Sequence, residues 1–242
     1  MSKILFQFLI ILFISCSSRN TSINSEYEDK YFANQTLTIL PIHEDSLNCS
    51  NITGVCESFN VPTFNGKSFL CDTLNGTIKV YAPRYSKGIT INSVTNYADW
   101  FKQYNNALNF MIVKKRLNNN ETILFKIPKK KFLDSLGIKS DFVLSFSKVS
   151  VGGYSPNYVT RTTETSGVRT EHTYTITGEF TAITEFIIWD YALNKAIKYG
   201  VQSSSVELNV LSNSDNNLEK WKSIFRMITK DLFNDTPFDG GF

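Results

Sequence analysis

The sequence predicts an α/β domain (α+β in its arrangement): a mixed sheet with a long antiparallel hairpin, packed against two amphipathic helices. Three observations predict it. Apolar residues recur at three- and four-residue spacing over 94–112 and again over 218–232. Short β-branched runs bounded by Pro, Gly and Asn lie before and between those stretches. A Thr-rich alternating segment, 158–177, carries Ser166-Gly167 at its middle, the signal of a two-residue hairpin turn.

In chain order, the first segment is a leader. Met1-Ser2-Lys3 brings one positive charge, residues 4–14 are apolar apart from Gln7, and Ser15 precedes Cys16. This is the layout of a secretory signal, too short to span a bilayer well. Ser15-Cys16 resembles the lipobox of bacterial lipoproteins, with Phe13 where that motif has Leu. The resemblance implies that 1–15 is a lipoprotein signal peptide and that Cys16 is lipidated. Ordinary secretion and an uncleaved N-terminal anchor are the alternative readings. Residues 16–35 are polar and read as a flexible tether. Residues 36–242 then form a single α/β domain, since no Pro/Gly/Ser linker divides them.

Thr36-Leu37-Thr38-Ile39-Leu40 is a first strand, stopped by Pro41. Residues 43–76 read as an irregular, cysteine-bearing insertion. Thr77-Ile78-Lys79-Val80-Tyr81 alternates and predicts an edge strand ended by Pro83. The stripe Val94, Tyr97, Ala98, Phe101, Tyr104, Leu108, Met111, Ile112 predicts the first long helix, with Ser93 as its cap. Thr122-Ile123-Leu124-Phe125-Lys126-Ile127 is a strand, and Pro128 opens a short helix that Gly137 closes. A strand follows from Asp141 to Val151, broken by Gly152-Gly153. The Thr-rich hairpin comes next, with Gly178 at a bulge. Residues 180–190 are β-rich, 191–194 turn, and 195–208 return. Leu218, Trp221, Ile224, Phe225, Ile228 and Leu232 make the closing helix, with Asn216 and Glu219 as a capping box.

The net charge of +3 is small for 242 residues and argues against a nucleic-acid partner. With Cys16 lipidated, Cys49, Cys56 and Cys71 remain. Cys49 and Cys56 flank a short loop and are the candidate disulfide; no Cys-x-x-Cys occurs. The two histidines, His43 and His172, lie in unrelated segments, so no metal site is expected, and no nucleotide or cofactor motif is present. His43-Glu44-Asp45 follows the first strand, where α/β sheets gather ligands, and is the candidate ligand site. Lys114-Lys115-Arg116 and Lys129-Lys130-Lys131 read as solvated charge runs, with one joined basic patch facing anionic headgroups as the alternative.

Leu40-Pro41, the unit from Leu136-Gly137-Ile138 through Asp141-Phe142-Val143-Leu144, and Phe186-Ile187-Ile188-Trp189-Asp190 with its returning strand resemble the TolB amino-terminal-domain and CsgG-like envelope lipoproteins. The resemblance implies an envelope assembly role without a shared catalytic residue. The expected function is therefore a non-catalytic binding or assembly module, held in the bacterial cell envelope, on the outer membrane side, through a lipid anchor and meeting an envelope protein partner. A periplasmic hydrolase using His43, Glu44 and Asp45 is the alternative.

Overall fold

A computed structural model of the chain describes residues 17–94, 100, 102–103, 106–165, 168–209 and 214–240, with backbone alone for 17–18, 58, 153–161, 163–165, 168–178, 208–209 and 214–216. The leader, with Cys16, and the Ser166-Gly167 turn lie outside the described residues, as do Tyr97, Ala98, Phe101 and Tyr104 of the first expected helix.

Nine strands and four helices are described: β1 Ser17–Ile23, β2 Gln35–Ile39, β3 Leu47–Cys49, α1 Ile52–Ser58, α2 Gly66–Tyr85, β4 Ile89–Ser93, β5 Phe110–Arg116, β6 Thr122–Pro128, α3 Lys130–Ser135, β7 Phe142–Thr165, β8 Val168–Asp190, β9 Lys195–Asn209 and α4 Ser214–Phe233. The main sheet runs β1-β9-β8-β7-β2-β4, and β3 pairs with β7 further along. β2 is parallel to β4 and β7, and β3 is parallel to β7, whereas β7, β8, β9 and β1 pair antiparallel. The mixed sheet with a long hairpin is therefore present, as expected.

Both faces of the sheet are covered, and period-two alternation sorts its side chains between them. Leu37, Phe142, Leu144, Phe146, Phe186 and Ile188 point to the helices α1, α2 and α4. Leu40, Val143, Ile187 and Trp189 point the other way, to a second layer built from β5, β6, α3 and Trp100. In the first layer Trp221 stands edge-on to Phe180 (centroids 4.4 Å) and Phe225 (4.3 Å).

Five expectations are corrected. First, 17–35 is not a tether. β1 pairs with β9 along its whole length, and Tyr27 is fully buried, donating its hydroxyl to Asp190 (2.8 Å). A polar segment can order here because backbone hydrogen bonds, not apolar side chains, hold an edge strand. Gly200 makes room for it: a Cβ there would lie 2.4 Å from the Asn20 carbonyl oxygen. Second, 43–76 is no irregular insertion. It supplies β3, α1 and the first half of α2, and buries Leu47, Val55, Phe59, Leu70 and Leu74.

Third, 77–81 is not a strand. It belongs to α2, whose buried stripe Leu70, Leu74, Ile78, Ala82 has four-residue spacing. Pro83 is tolerated in the last two turns, where helix hydrogen bonds are already ending. Fourth, the expected helix does not reach Ile112. Phe110–Arg116 is a strand in an antiparallel ribbon with β6, because pairing with a strand already formed beside it overrides a weak helical period. Fifth, Gly152-Gly153 does not end β7. The strand runs on with a register slip between Gly152 and Ser155, and a further slip follows between Asn157 and Tyr158. Gly178 itself stays paired, opposite Pro156.

The short helix and its glycine stand where expected: α3 is followed by Gly137 at φ 72°, a conformation glycine adopts without strain. The closing helix buries the expected stripe, but it starts at Ser214, so Asn216 is not its cap. It lies over β8, β9 and α2, in one apolar cluster with Leu144 of β7, while Val143 faces the opposite layer.

Candidate functional site

His43, Glu44 and Asp45 sit where the sequence places them, just past β2, in a single 3-10 turn over Glu44–Ser46. The imidazole closes on its own turn. His43 Nδ1 accepts from the Asp45 backbone N–H (3.1 Å) and stands 3.2 Å from the Asp45 carboxylate. Glu44 and Asp45 are exposed. The three side chains do not converge on a cavity, and the turn is capped by the histidine rather than opened by it.

Cys49, Cys56 and Cys71 are free thiols, so the expected Cys49–Cys56 bridge is not formed. Cys49 ends β3, Cys56 lies buried inside α1, and Cys71 lies inside α2; Cys49 and Cys71 belong to the same apolar cluster. Burial pushes all three thiols up, Cys71 to about 12, which disfavours the thiolate form. Among the described residues no group of His, Cys, Asp and Glu is arranged to hold a metal ion. No described helix is long and apolar enough to cross a membrane.

The structure instead presents a cleft of about 310 Å³ where β3 meets β7 and β8. Asn48, Ser50, Ser150, Val151, Gly152, Thr181 and Ile183 line it. Gly152 brings the backbone close: a Cβ there would lie 3.1 Å from Ser50 Oγ. Hydroxyls and one amide can hydrogen-bond a ligand or a strand, but no lining group is a carboxylate, an amine, a thiol or an imidazole. The arrangement therefore suits binding by polar contacts and holds no acid–base pair. This cleft was invisible in the sequence because it depends on β3 pairing with β7 across about a hundred residues of chain; Gly152-Gly153 in a β-rich run was its one local signal.

The cleft marks the root of a projection. β9 accompanies β8 up to the pair Thr177–Asn209. Beyond it β7 and β8 continue through eight pairs, from Tyr158–Thr175 to Thr165–Val168, with no third strand beside them among the described residues. At about 3.4 Å per residue this two-stranded arm extends roughly 25 Å. The expected hairpin is thus present in register up to the pair Thr165–Val168, and Ser166-Gly167 lies outside the described residues.

Two buried polar groups are fasteners. Asp190 accepts the Tyr27 hydroxyl on one oxygen and the backbone N–H of Ala192 (2.7 Å) and Leu193 (3.1 Å) on the other, locking the β8–β9 turn. Burial first, and then this carboxylate, push the Tyr27 hydroxyl well above its usual range. On β9, Lys198 is 1 % exposed and donates to the carbonyls of Asp231 and Asn234, each at 2.7 Å, at the C-terminal end of α4. Burial pulls its pKa down to about 8. Asp231 also pairs with Arg19 of β1. The single joined basic patch is not formed. Arg116 pairs with Thr122 at one end of the β5–β6 ribbon, while Lys129 follows Pro128 at the other.

No family model matches the chain, and no curated protein matches it. Among solved structures, a single-site variant of the PelC dodecamer from Paraburkholderia phytofirmans is similar at 10 % identity, covering 90 % of this chain and 98 % of that one, with a TM-score of 0.34. A second PelC dodecamer from the same organism gives 9 % identity, 90 % and 96 % coverage and a TM-score of 0.32. A neuraminyllactose-binding hemagglutinin homolog from Helicobacter pylori gives 9 % identity, 84 % and 85 % coverage and a TM-score of 0.39. None of these three is a TolB or CsgG-like protein. At such scores and identities none of them lends this chain a role.

Proposed function

We propose that the chain is a bacterial envelope lipoprotein, anchored through Cys16, that works as a non-catalytic binding or assembly module with the β7–β8 arm as its interaction element. The observation that carries this reading is the arm. Eight successive strand pairs have no third strand beside them among the described residues. Their outward N–H and C=O groups are a template for a partner strand. Its sequence mixes Arg161, Glu164, Arg169 and Glu171 among threonines, which discourages random pairing while leaving a chosen partner free to pair. The leader pattern and the lipobox resemblance supply the location, and the TolB- and CsgG-like resemblance implies the same kind of role. The hydrolase alternative draws no support from His43, Glu44 and Asp45: the imidazole is held by the Asp45 N–H and carboxylate, and Glu44 and Asp45 are exposed.

Two measurements test this. Mass spectrometry of the native protein should find acyl chains on Cys16, and Cys16→Ala should abolish membrane partitioning; an unacylated Cys16 removes the anchor. Deleting 155–175 and closing the gap with a short turn should leave a folded protein that no longer cross-links to its envelope partners in cells. Unchanged cross-linking would remove the arm from the proposal.

A further inference from the structure

The β5–β6 ribbon uses its two faces in opposite ways. Ile123, Phe125 and Ile127 are buried on its inner side against Val143, Ile187 and Trp189 of the sheet, while Phe110, on the outer side by alternation, is covered by Trp100 and Phe132. The outer side holds three cross-strand rungs: Ile112 opposite Lys126, Lys114 opposite Leu124, and Arg116 opposite Thr122. Ile112 is 64 % exposed and Leu124 59 %, and Leu108, just before β5, is 78 % exposed. Lys114 and Arg116 are exposed as well. Lys126 lays its ammonium 4.8 Å above the Phe110 ring, and burial of its stem lowers its pKa. No carboxylate stands on these rungs.

We propose that this outer face docks on an anionic lipid bilayer. Two exposed aliphatic side chains, Ile112 and Leu124, sit beside two exposed cations, Lys114 and Arg116, on one face of a paired ribbon. That is the chemistry of the membrane interface, where aliphatic groups enter the boundary of headgroups and acyl chains and ammonium or guanidinium groups meet the phosphates. The absence of acidic side chains on the rungs fits a surface of one sign better than a protein surface of mixed charge. The position also suits the proposed anchor, although the face and its charges do not depend on it. The Tyr199 hydroxyl of β9 donates to the Arg116 carbonyl (3.3 Å), and Tyr199 is paired with Ser22 of β1. Ser17 lies five residues back along β1, which is roughly 17 Å at strand rise. The turn end of the ribbon therefore stands close to the point where Cys16 joins the fold.

The test uses the full chain reconstituted into vesicles of phosphatidylcholine, or of phosphatidylcholine with about one-third phosphatidylglycerol. Leu124→Trp provides the reporter, read as the emission it adds over the parent protein. In the anionic vesicles that emission should shift to the blue and be quenched by doxyl-labelled lipid. In pure phosphatidylcholine, or with Lys114→Glu and Arg116→Glu added, quenching should fall by about fivefold or more, and salt near 1 M should act the same way by screening. Absence of quenching in anionic vesicles overturns the proposal. Equal quenching in both lipids overturns the recognition of anionic headgroups. A blue shift in lipid-free detergent that grows with protein concentration assigns the face to a second copy of the chain and overturns it too. Flotation with phosphatidylcholine vesicles reports the Cys16 anchor separately, so failure of the anchor and failure of the ribbon are told apart.

Discussion

The root and the tip of the β7–β8 hairpin are made of the same two strands and live in different worlds. At the root most of the apolar residues are sandwiched. Phe142, Leu144 and Phe146 meet the helical layer, while Val143, Ile187 and Trp189 meet the ribbon layer. At the tip, 158–165 and 168–175 have only each other among the described strands. The sequence changes in step. The root reads as near-continuous Val, Leu, Ile and Phe, as a strand covered on both faces must. The tip reads as Thr, Arg and Glu, which tolerate water on both sides. One hairpin thus carries stability at one end and, in the proposed reading, recognition at the other.

The largest effect should come from the root. Trp221→Ala empties a fully buried site against Phe180 and Phe225 and should cost about 3–5 kcal/mol in urea unfolding. A loss below about 1 kcal/mol would break the comparison, because the root would not then be where stability resides. Tyr27→Phe removes one donor from Asp190 while two backbone donors remain, so about 1–2 kcal/mol is expected in the same assay.

Lys198 sharpens the contrast through pH. Its ammonium is disfavoured in the folded state, where the pKa is about 8 against an ordinary 10.5. Below pH 8 the lysine is charged in both states and the burial cost is present in full. As pH rises above 8 the folded protein gives up the proton first, so this group's contribution to stability rises with pH until the unfolded lysine also titrates. The buried thiols and Tyr27 shift upward and act in the opposite direction from about pH 9. The clean reading is therefore the difference from Lys198→Met, which should lack the rise between pH 8 and 9. A variant with the same pH slope as the parent would rule the lysine out.

The smallest effect belongs to the tip. Removal of 155–175 should change the urea unfolding free energy by less than about 1 kcal/mol, as exposed segments do. Global unfolding of the shortened chain would show that the arm is part of the core after all.

What was legible followed from strong local periods. The threonine alternation and Ser166-Gly167 marked the hairpin, and the Leu218-to-Leu232 stripe marked α4, because in both cases one repeat dominates a long window. α2 was hidden by its own punctuation. Gly66, Gly76 and Pro83 suggest loops, and Thr77 to Tyr81 alternates by chance, although Leu70, Leu74, Ile78 and Ala82 already carried the helical spacing. β5 was misread because Tyr104, Leu108, Met111 and Ile112 fit a helical stripe, while its partner strand β6 fixed the outcome from outside the window. The site was less legible than the fold. His43-Glu44-Asp45 was chosen by position after a strand, yet position alone does not turn side chains toward one another. The cleft beside Gly152 needs three strands that no local pattern joins.

β1 has a mechanical consequence. A leash of 20 or so disordered residues would let the body wander several nanometres from its attachment point. Here all seven β1 residues, from Ser17, are paired with β9. A pull applied at residue 16 along the strand loads those pairs together in shear rather than peeling them one by one. Force on the arm at the far end of β8 would then travel through β9 to β1 as through a strap stitched along its length, and the attachment would yield abruptly.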